Sequence, residues 1–574
     1  MPSDRTLACD IQGEIEKATR EKVAVSVRDG IVRLRGHSSS HEAAVEAGHL
    51  AAGFDKVREA VNDIVFPGKI RFTPPRKVSD ELTSREFDVV IVGGGVIGLA
   101  VARQLSQFSL SIALFERHND LGMDQTTHSN AMIHPAVQAK HGTLRWEMNY
   151  KGNPMWDEIA RQLDVDFRRI GTLIVAENAE EEALLPYAVS VAIKHNDPEP
   201  KVLDREGLDR VEPGLAPNVR KGVHVWNTGI INVFELLIAY AENALSNGVS
   251  IFLDTAVIGV RTEDFAIKAI DTTRGTVRTG LLINAAGLYA DKIAEYAGDR
   301  FFTIHPRKGE TIIFDKSYQP VRTVFAPVSI AAESQESKYT KGGGIIPTTD
   351  GNLQFGPTAM EVCDKEDLST TADGCGYLFD RFAPVLARLK PDYEKPDRAK
   401  IIAQFAGCRA ATYKEDFIIG PSRKVRGLMH VAGIQSPGLA STPAVAERVR
   451  EIVRDEQHPS VNDRFNPVRR RQVRFSELSL KEQDELIRVN PLYGHIVCRC
   501  ENVSEAEVVQ ALNNKIAARS LDGVKRRTRA GQGRCQGGFC MPRIVEIASR
   551  EMNISKERLV KSEGKSYVLS GRTK

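Results

Sequence analysis

No stretch of the 574 residues comes near the 18 or more consecutive apolar residues that a membrane-spanning helix needs. The start, MPSDRTLACDIQGEIEKATREK, is charged and carries no apolar h-region, which excludes a secretory signal. An excess of one charge sign is also missing. Lys plus Arg number 78 against 75 Asp plus Glu, a net +3, so the overall balance gives no electrostatic case for nucleic acid or a membrane surface. Cysteines are few, eight in all, and do not resemble a disulfide framework. Internal repeats and long low-complexity tracts are absent. What remains is ordinary globular composition, 42% hydrophobic and 27% charged. The length suits about three or four domains.

Half of the cysteines fall near the end, Cys498 and Cys500 as C-x-C, Cys535 and Cys540 as C-x4-C. Thiolate is the soft ligand that iron-sulfur clusters and zinc share. Structural zinc favours C-x2-4-C pairs, and the one-residue spacing at Cys498 and Cys500 is unusual there. The spacing therefore points to a cluster, with zinc as its rival. Such a cage fits a reducing cytoplasm, and Cys9, Cys363, Cys375 and Cys408 read as free thiols. The basic stretches Arg469-Arg470-Arg471 and Lys525-Arg526-Arg527 with Arg529 read as solvated surface.

Residues 1–68 form a unit of their own. A helical pattern from Ile11 to Arg20 leads into VAVSVRDGIVRLRG, whose alternating halves flank Asp29-Gly30 and predict a hairpin. A second helix over about His41 to Gly53 and a strand from Val57 to Val65 complete an α-β-β-α-β layout. Residues 69–85, with Pro74-Pro75, read as a linker, as does the polar stretch 456–494.

FDVVIVGGGVIGLAVARQL carries a buried strand, Phe87 to Val92, into Gly93-x-Gly95-x-x-Gly98 and an apolar-periodic helix. Gly93 permits the tight turn, Gly95 lets a pyrophosphate approach the helix N-terminus, and Gly98 allows close helix-strand packing. A second strand, Ser111 to Phe115, ends in Glu116, placed to accept hydrogen bonds from a ribose hydroxyl. Strand, glycines, helix, strand and acid in this order predict dinucleotide binding.

Three further segments resemble FAD-dependent oxidoreductases. VRTGLLINAAGLYADKIAEYAG resembles their second nucleotide-contacting stretch, through Ala286 and Gly287. VRGLMHVAGIQSPGLASTPAVAERV, with Gly433, Gly438 and Leu439, resembles the turn and helix whose N-terminus faces the flavin. TTHSNAMIHP, with Ser129 and Asn130, follows Glu116 by the distance at which such enzymes pass beneath the isoalloxazine. Residues 86–455 thus resemble the D-amino-acid-oxidase-like superfamily. The branch holding L-2-hydroxyglutarate dehydrogenases and the A subunit of anaerobic glycerol-3-phosphate dehydrogenase is the most similar. The carrying stretches are His128 to His134, RIGTLIVA, Pro306-Arg307-Lys308-Gly309 and FAGCRAATYKEDFIIGPS.

The resemblance implies an α/β fold, a Rossmann-like FAD-binding domain with an inserted antiparallel-sheet substrate domain over about 150–225 and 300–400. It also implies hydride removal from a carbon bearing a hydroxyl or amine. His134 is the expected base. Arg409, in a Gly-Cys-Arg turn before an edge strand, is expected to grip a carboxylate or phosphate; Arg307 and Lys308, with Tyr413 and Lys414 behind them, are weaker candidates.

HIVCRCENVSEAEVV and KRRTRAGQGRCQGGFCMPRIVE resemble the BFD-like 2Fe-2S domain, a small helical unit over 495–555 followed by a tail, 556–574. Gly531, Gly533, Gly537 and Gly538 are expected to let backbone amides face the sulfurs, and Arg526, Arg527 and Arg529 to offset cluster charge. An oxidase needs no tethered one-electron relay, so the cluster implies a dehydrogenase with an electron-accepting subunit or quinone-linked partner. The expected substrate is sn-glycerol 3-phosphate, with L-2-hydroxyglutarate as the alternative; a redox-sensing or iron-handling module is the minor reading. The first unit resembles a BON domain, a small α+β fold, through Asp29 to Gly36 and Val57 to Val61, which implies docking or peripheral contact at the inner membrane face from the cytoplasm.

Overall fold

The computed structural model describes residues 4–136, 139–194, 200–328 and 343–571. Its first unit runs helix Asp4–Thr19, strands Ala24–Arg28 and Ile31–Arg35, helix His41–Gly53 and strand Glu59–Asn62. Asp29 and Gly30 take φ of 53° and 75°, as a two-residue hairpin turn with a right-handed strand twist requires. The last strand joins parallel to Ile31–Arg35, over a core of Ile11, Ile15, Leu34 and Ala47. The α-β-β-α-β layout is present, seated on the middle of the chain: the Asn62 amide donates to Thr303 Oγ1 at 3.0 Å and Arg300 pairs with Asp63 at 2.8 Å.

Apolar runs buried on both faces build a parallel sheet. Its order is Ser250–Phe252, Ile112–Phe115, Glu86–Val92, Gly275–Asn284 and Leu428–Ala432. The first half of Gly275–Asn284 also pairs antiparallel with Ala266–Thr272, which in turn pairs antiparallel with Val257–Glu263. Helices Val96–Leu105, Val233–Ser246 and Gly438–Gln457 supply Leu99, Leu236, Tyr240 and Val445 to the core beneath. Leu82, within the expected linker 69–85, is buried against the sheet's other side.

A second sheet of nine strands forms the substrate half. Its spine is the antiparallel pair Ile304–Phe314 and Ile401–Thr412, in register from Ile304↔Thr412 to Phe314↔Ile401. The latter strand carries this half beyond the expected boundary at residue 400. One pair is parallel, Val324–Pro327 with Thr172–Ala176. Phe314, Phe325, Phe355 and Phe382 fill its core.

Helices Glu505–Asn513, Leu521–Thr528 and Met541–Met552 close the C-terminal unit over Val508, Val524 and Ile544. The segment before it is no loose linker. It contains helix Leu480–Val489, and the Arg469 side chain, 8% exposed, pairs with Glu242 at 2.7 Å while Arg474 pairs with Glu235 at 3.0 Å. Carboxylates along helix Val233–Ser246 thus bind Arg474 and also Arg469, a residue expected to lie in solvent. The tail folds back too, with Leu559 buried and Glu563 at 2.9 Å from His118 Nδ1. All eight cysteines are free, and among the described residues no helix is long and apolar enough to cross a membrane.

Candidate active site and thiolate cage

Strand Glu86–Val92 ends at Gly93, φ 113°, where a Cβ would lie 2.4 Å from the Ala285 carbonyl oxygen. A Cβ on Gly98 would come within 2.0 Å of the Gly93 oxygen, so only glycine lets strand, turn and helix meet. Gly95 is the N-cap of helix Val96–Leu105 and adds no capping side chain; the Val96 amide donates to Thr126 Oγ1 at 3.2 Å, and the helix start borders a cavity of about 670 Å³. Glu116 lines the same cavity. Its two carboxylate oxygens accept from Gly94 N at 2.6 Å and His118 N at 2.9 Å, and each keeps a lone pair for a ribose hydroxyl. Burial pushes this carboxyl upward.

The wall continues through Ser129, Asn130, Ala286, Gly287, Gly438 and Leu439. The sequence-derived set therefore converges, with two exceptions. Gly98 lies under the turn as a packing residue, and Gly433 lies off the wall because its Cα faces Thr412 Cγ2 and the Asp416 oxygen, which a Cβ would meet at 2.8 and 3.0 Å. Glycine cradle, acidic acceptor and the starts of two helices fit an FAD-sized dinucleotide.

His134 and Arg409 border the same space. His134, 8% exposed, follows the short strand Met132–Ile133, and its carbonyl is held by Asn153 Nδ2 at 2.7 Å. Arg409 lies within strand Ile401–Thr412 opposite Arg307, not in a turn. The Gly-Cys-Arg run misled because Gly407 serves close packing: a Cβ there would strike His128 Cβ at 2.4 Å. Gly309 leaves the room that Arg409 Nη2 occupies, 2.6 Å from where its Cβ would be.

The two arginines differ in their partners. Arg307, 4% exposed, donates to Glu361 and Glu415 at 2.6 Å each. Arg409 donates to the Thr358 carbonyl at 3.0 Å and makes no ion pair among the described residues. Burial, then the neighbouring Arg307, pushes its guanidinium down to about 10. An anion in the cavity would answer both penalties. Lys308 turns away to Asp367 at 2.8 Å, Lys414 donates to Ala52 O, and Tyr413 is buried under the first unit. Sequence reasoning missed Glu361, Glu415 and Gln435. Gln435 Nε2 donates to Glu415 at 2.6 Å and ties Arg307's partner to the turn before Gly438.

At the C-terminus the sulfurs of Cys500 and Cys535 are 3.7 Å apart, while the Cys540 thiol bonds to Cys498. That bond and the amides of Gly531 and Glu501 lower Cys498 to about 6; the amides of Phe539 and Gly537 lower Cys535. Gly531 and Gly537 thus perform the expected amide role, and Gly533 lets Cys500 approach, since its Cβ would lie 2.3 Å from Cys500 Cβ. Zinc would bring four sulfurs to about 3.8 Å of one another, given Zn–S near 2.3 Å. Among the described residues no three cysteine sulfurs lie within 4.8 Å of one another, which fits a two-iron cage better.

The nearby arginines do not face the cluster as free charges. Arg526 and Arg527 both reach Asp120, each at 2.8 Å, and Arg529 pairs with Glu501 at 2.7 Å and with Asp350. Asp120 follows Glu116 in the loop whose residues Gly122 to Thr126 wall the cavity. The pair of ion pairs therefore bolts the cage to the dinucleotide site, and it holds the Asp120 carboxyl down against its burial.

A family model described as FAD dependent oxidoreductase matches residues 88–452, and one described as BFD-like [2Fe-2S] binding domain matches residues 496–550. Over 489 residues the chain is 40% identical to a glycerol 3-phosphate dehydrogenase of Caloramator mitchellensis, covering 85% of this chain and 99% of that one. The human mitochondrial L-2-hydroxyglutarate dehydrogenase is 27% identical over 311 residues, 50% of this chain and 64% of its own. Among solved structures, dithionite-reduced L-alpha-glycerophosphate oxidase from Mycoplasma pneumoniae with FAD bound superposes with a TM-score of 0.59. That match has 25% identity and covers 67% of this chain and 98% of the other.

Proposed function

Since the chain belongs to the FAD-dependent oxidoreductase family and ends in a BFD-like 2Fe-2S domain, we propose that it is a dehydrogenase of sn-glycerol 3-phosphate that passes electrons to a separate acceptor. The carrying observation is Arg409, a buried guanidinium at the cavity with no carboxylate of its own among the described residues. Its fork would receive the phosphate bidentately in the cavity that the helix start at Gly438 also borders. Bound FAD supplies the hydride acceptor, and the cluster supplies a one-electron relay. His134 takes the hydroxyl proton, with its main chain fixed by Asn153. Ile174, Phe325 and Ile346 line the cavity and keep water from this step.

An arginine fork holds a carboxylate equally well, so substrate choice is tested directly. Anaerobic addition of sn-glycerol 3-phosphate is expected to bleach the visible flavin absorbance faster than L-2-hydroxyglutarate does. Bleaching by the hydroxy acid alone transfers the assignment to that class.

The acceptor is proposed to be an electron-accepting subunit or a quinone-linked partner, reached through the exposed side of the cage at Cys500 and Cys535. Cys535→Ser is expected to keep substrate-dependent bleaching and to lose reduction of an external one-electron acceptor to background. Unchanged acceptor reduction would remove the relay from the proposal.

A further inference from the structure

Three segments meet behind the paired arginine. His49 comes from helix His41–Gly53 of the first unit, His305 from the start of strand Ile304–Phe314, and Glu415 from just past strand Ile401–Thr412. One ligand atom of each lies within 4.8 Å of the other two, and no other histidine, cysteine or carboxylate trio among the described residues does this. We propose that His49, His305 and Glu415 bind a divalent transition-metal ion of the zinc class, which joins the first unit to the strand pair bearing Arg307 and Arg409.

His305 is 4% exposed, and its Nδ1 is held by Glu361 at 2.7 Å. This fixes the ring and leaves Nε2 buried without a hydrogen-bond partner. A carboxylate on one ring nitrogen and an open second nitrogen is the usual setting of a metal-ligating histidine. His49, 7% exposed, meets the His305 ring edge-on at 5.1 Å. Glu415 Oε1 accepts from Arg307 Nη2 at 2.6 Å and keeps a further lone pair, while Oε2 accepts from Gln435 at 2.6 Å and from Arg307 Nη1 at 3.3 Å.

The rings are also held in position. Tyr413 stacks on His305 at 4.5 Å and 13°, and meets His49 edge-on at 5.2 Å. Gly48 makes this approach possible, since a Cβ there would lie 2.4 Å from the Tyr413 ring. Lys414 Nζ caps Ala52 O at 2.9 Å and Asn62 Nδ2 donates to Ala44 O at 2.7 Å, so the helix bearing His49 is fixed from both sides. Glu361 faces the trio beside Arg307, and Arg145 donates to the Glu415 main-chain carbonyl at 3.1 Å. Two imidazoles and one carboxylate select zinc, cobalt or nickel over magnesium or calcium.

The test titrates Co2+ into the full-length holoenzyme after dialysis against EDTA, with cluster iron measured in parallel. The expected result is one cobalt equivalent with visible d–d bands and no thiolate charge-transfer band. His49→Gln should abolish those bands, and Glu361→Gln should weaken binding about 10–100-fold with the trio left intact. Flavin content and circular dichroism check that both variants fold. Absence of the bands in the parent protein, bands of thiolate type, or bands that survive in His49→Gln would each overturn the site.

Discussion

Replacing Arg409 with alanine is expected to lower kcat/KM for sn-glycerol 3-phosphate by about 30- to 4,000-fold. Truncating one partner of a buried, hydrogen-bonded charge pair costs about 2–5 kcal/mol, and each 1.4 kcal/mol is a factor of ten. The loss should fall mainly on KM, because Arg409 grips the tail rather than the reacting carbon. Lysine should restore part of it, as a point charge without the fork. Arg307 cannot substitute, since Glu361 and Glu415 already occupy its donors. Steady-state rates with an artificial acceptor measure this; an unchanged kcat/KM would place the anion elsewhere in the cavity.

His134→Asn should act on the other parameter. A positioned general base contributes about 10²–10⁴-fold, so anaerobic flavin reduction should slow by at least about 100-fold while substrate affinity changes little. The backbone should stay in place, because Asn153 holds the residue through its carbonyl rather than its ring. Rapid-mixing absorbance decides the matter, and a near-normal rate assigns the proton to another group.

That these two residues would border one cavity was legible in the sequence through the motifs around them. The same holds for the hairpin at Asp29-Gly30 and the Gly93 to Gly98 turn, where a few consecutive residues carry the whole geometry. Pairings between distant segments were not legible. Nothing local to Arg526 or Arg527 announces Asp120, and nothing in Arg469 announces Glu242, so both basic runs read as surface. Gly407 suggested a turn, yet it makes room for His128 in mid-strand. Glu361 and Glu415 belong to the site only because strand pairing places Arg307 between them.

The order of the parallel sheet also governs how the molecule is made. Its central strand, Glu86–Val92, is synthesised early, whereas Leu428–Ala432 and the helix from Gly438 that completes the cofactor wall come hundreds of residues later. At ordinary translation rates that interval lasts roughly 20–70 s. A nascent chain in this window exposes apolar strand edges and cannot close around a flavin. Chaperone occupancy on the ribosome, and failure of cofactor loading in any fragment ending before residue 438, follow from the strand order alone.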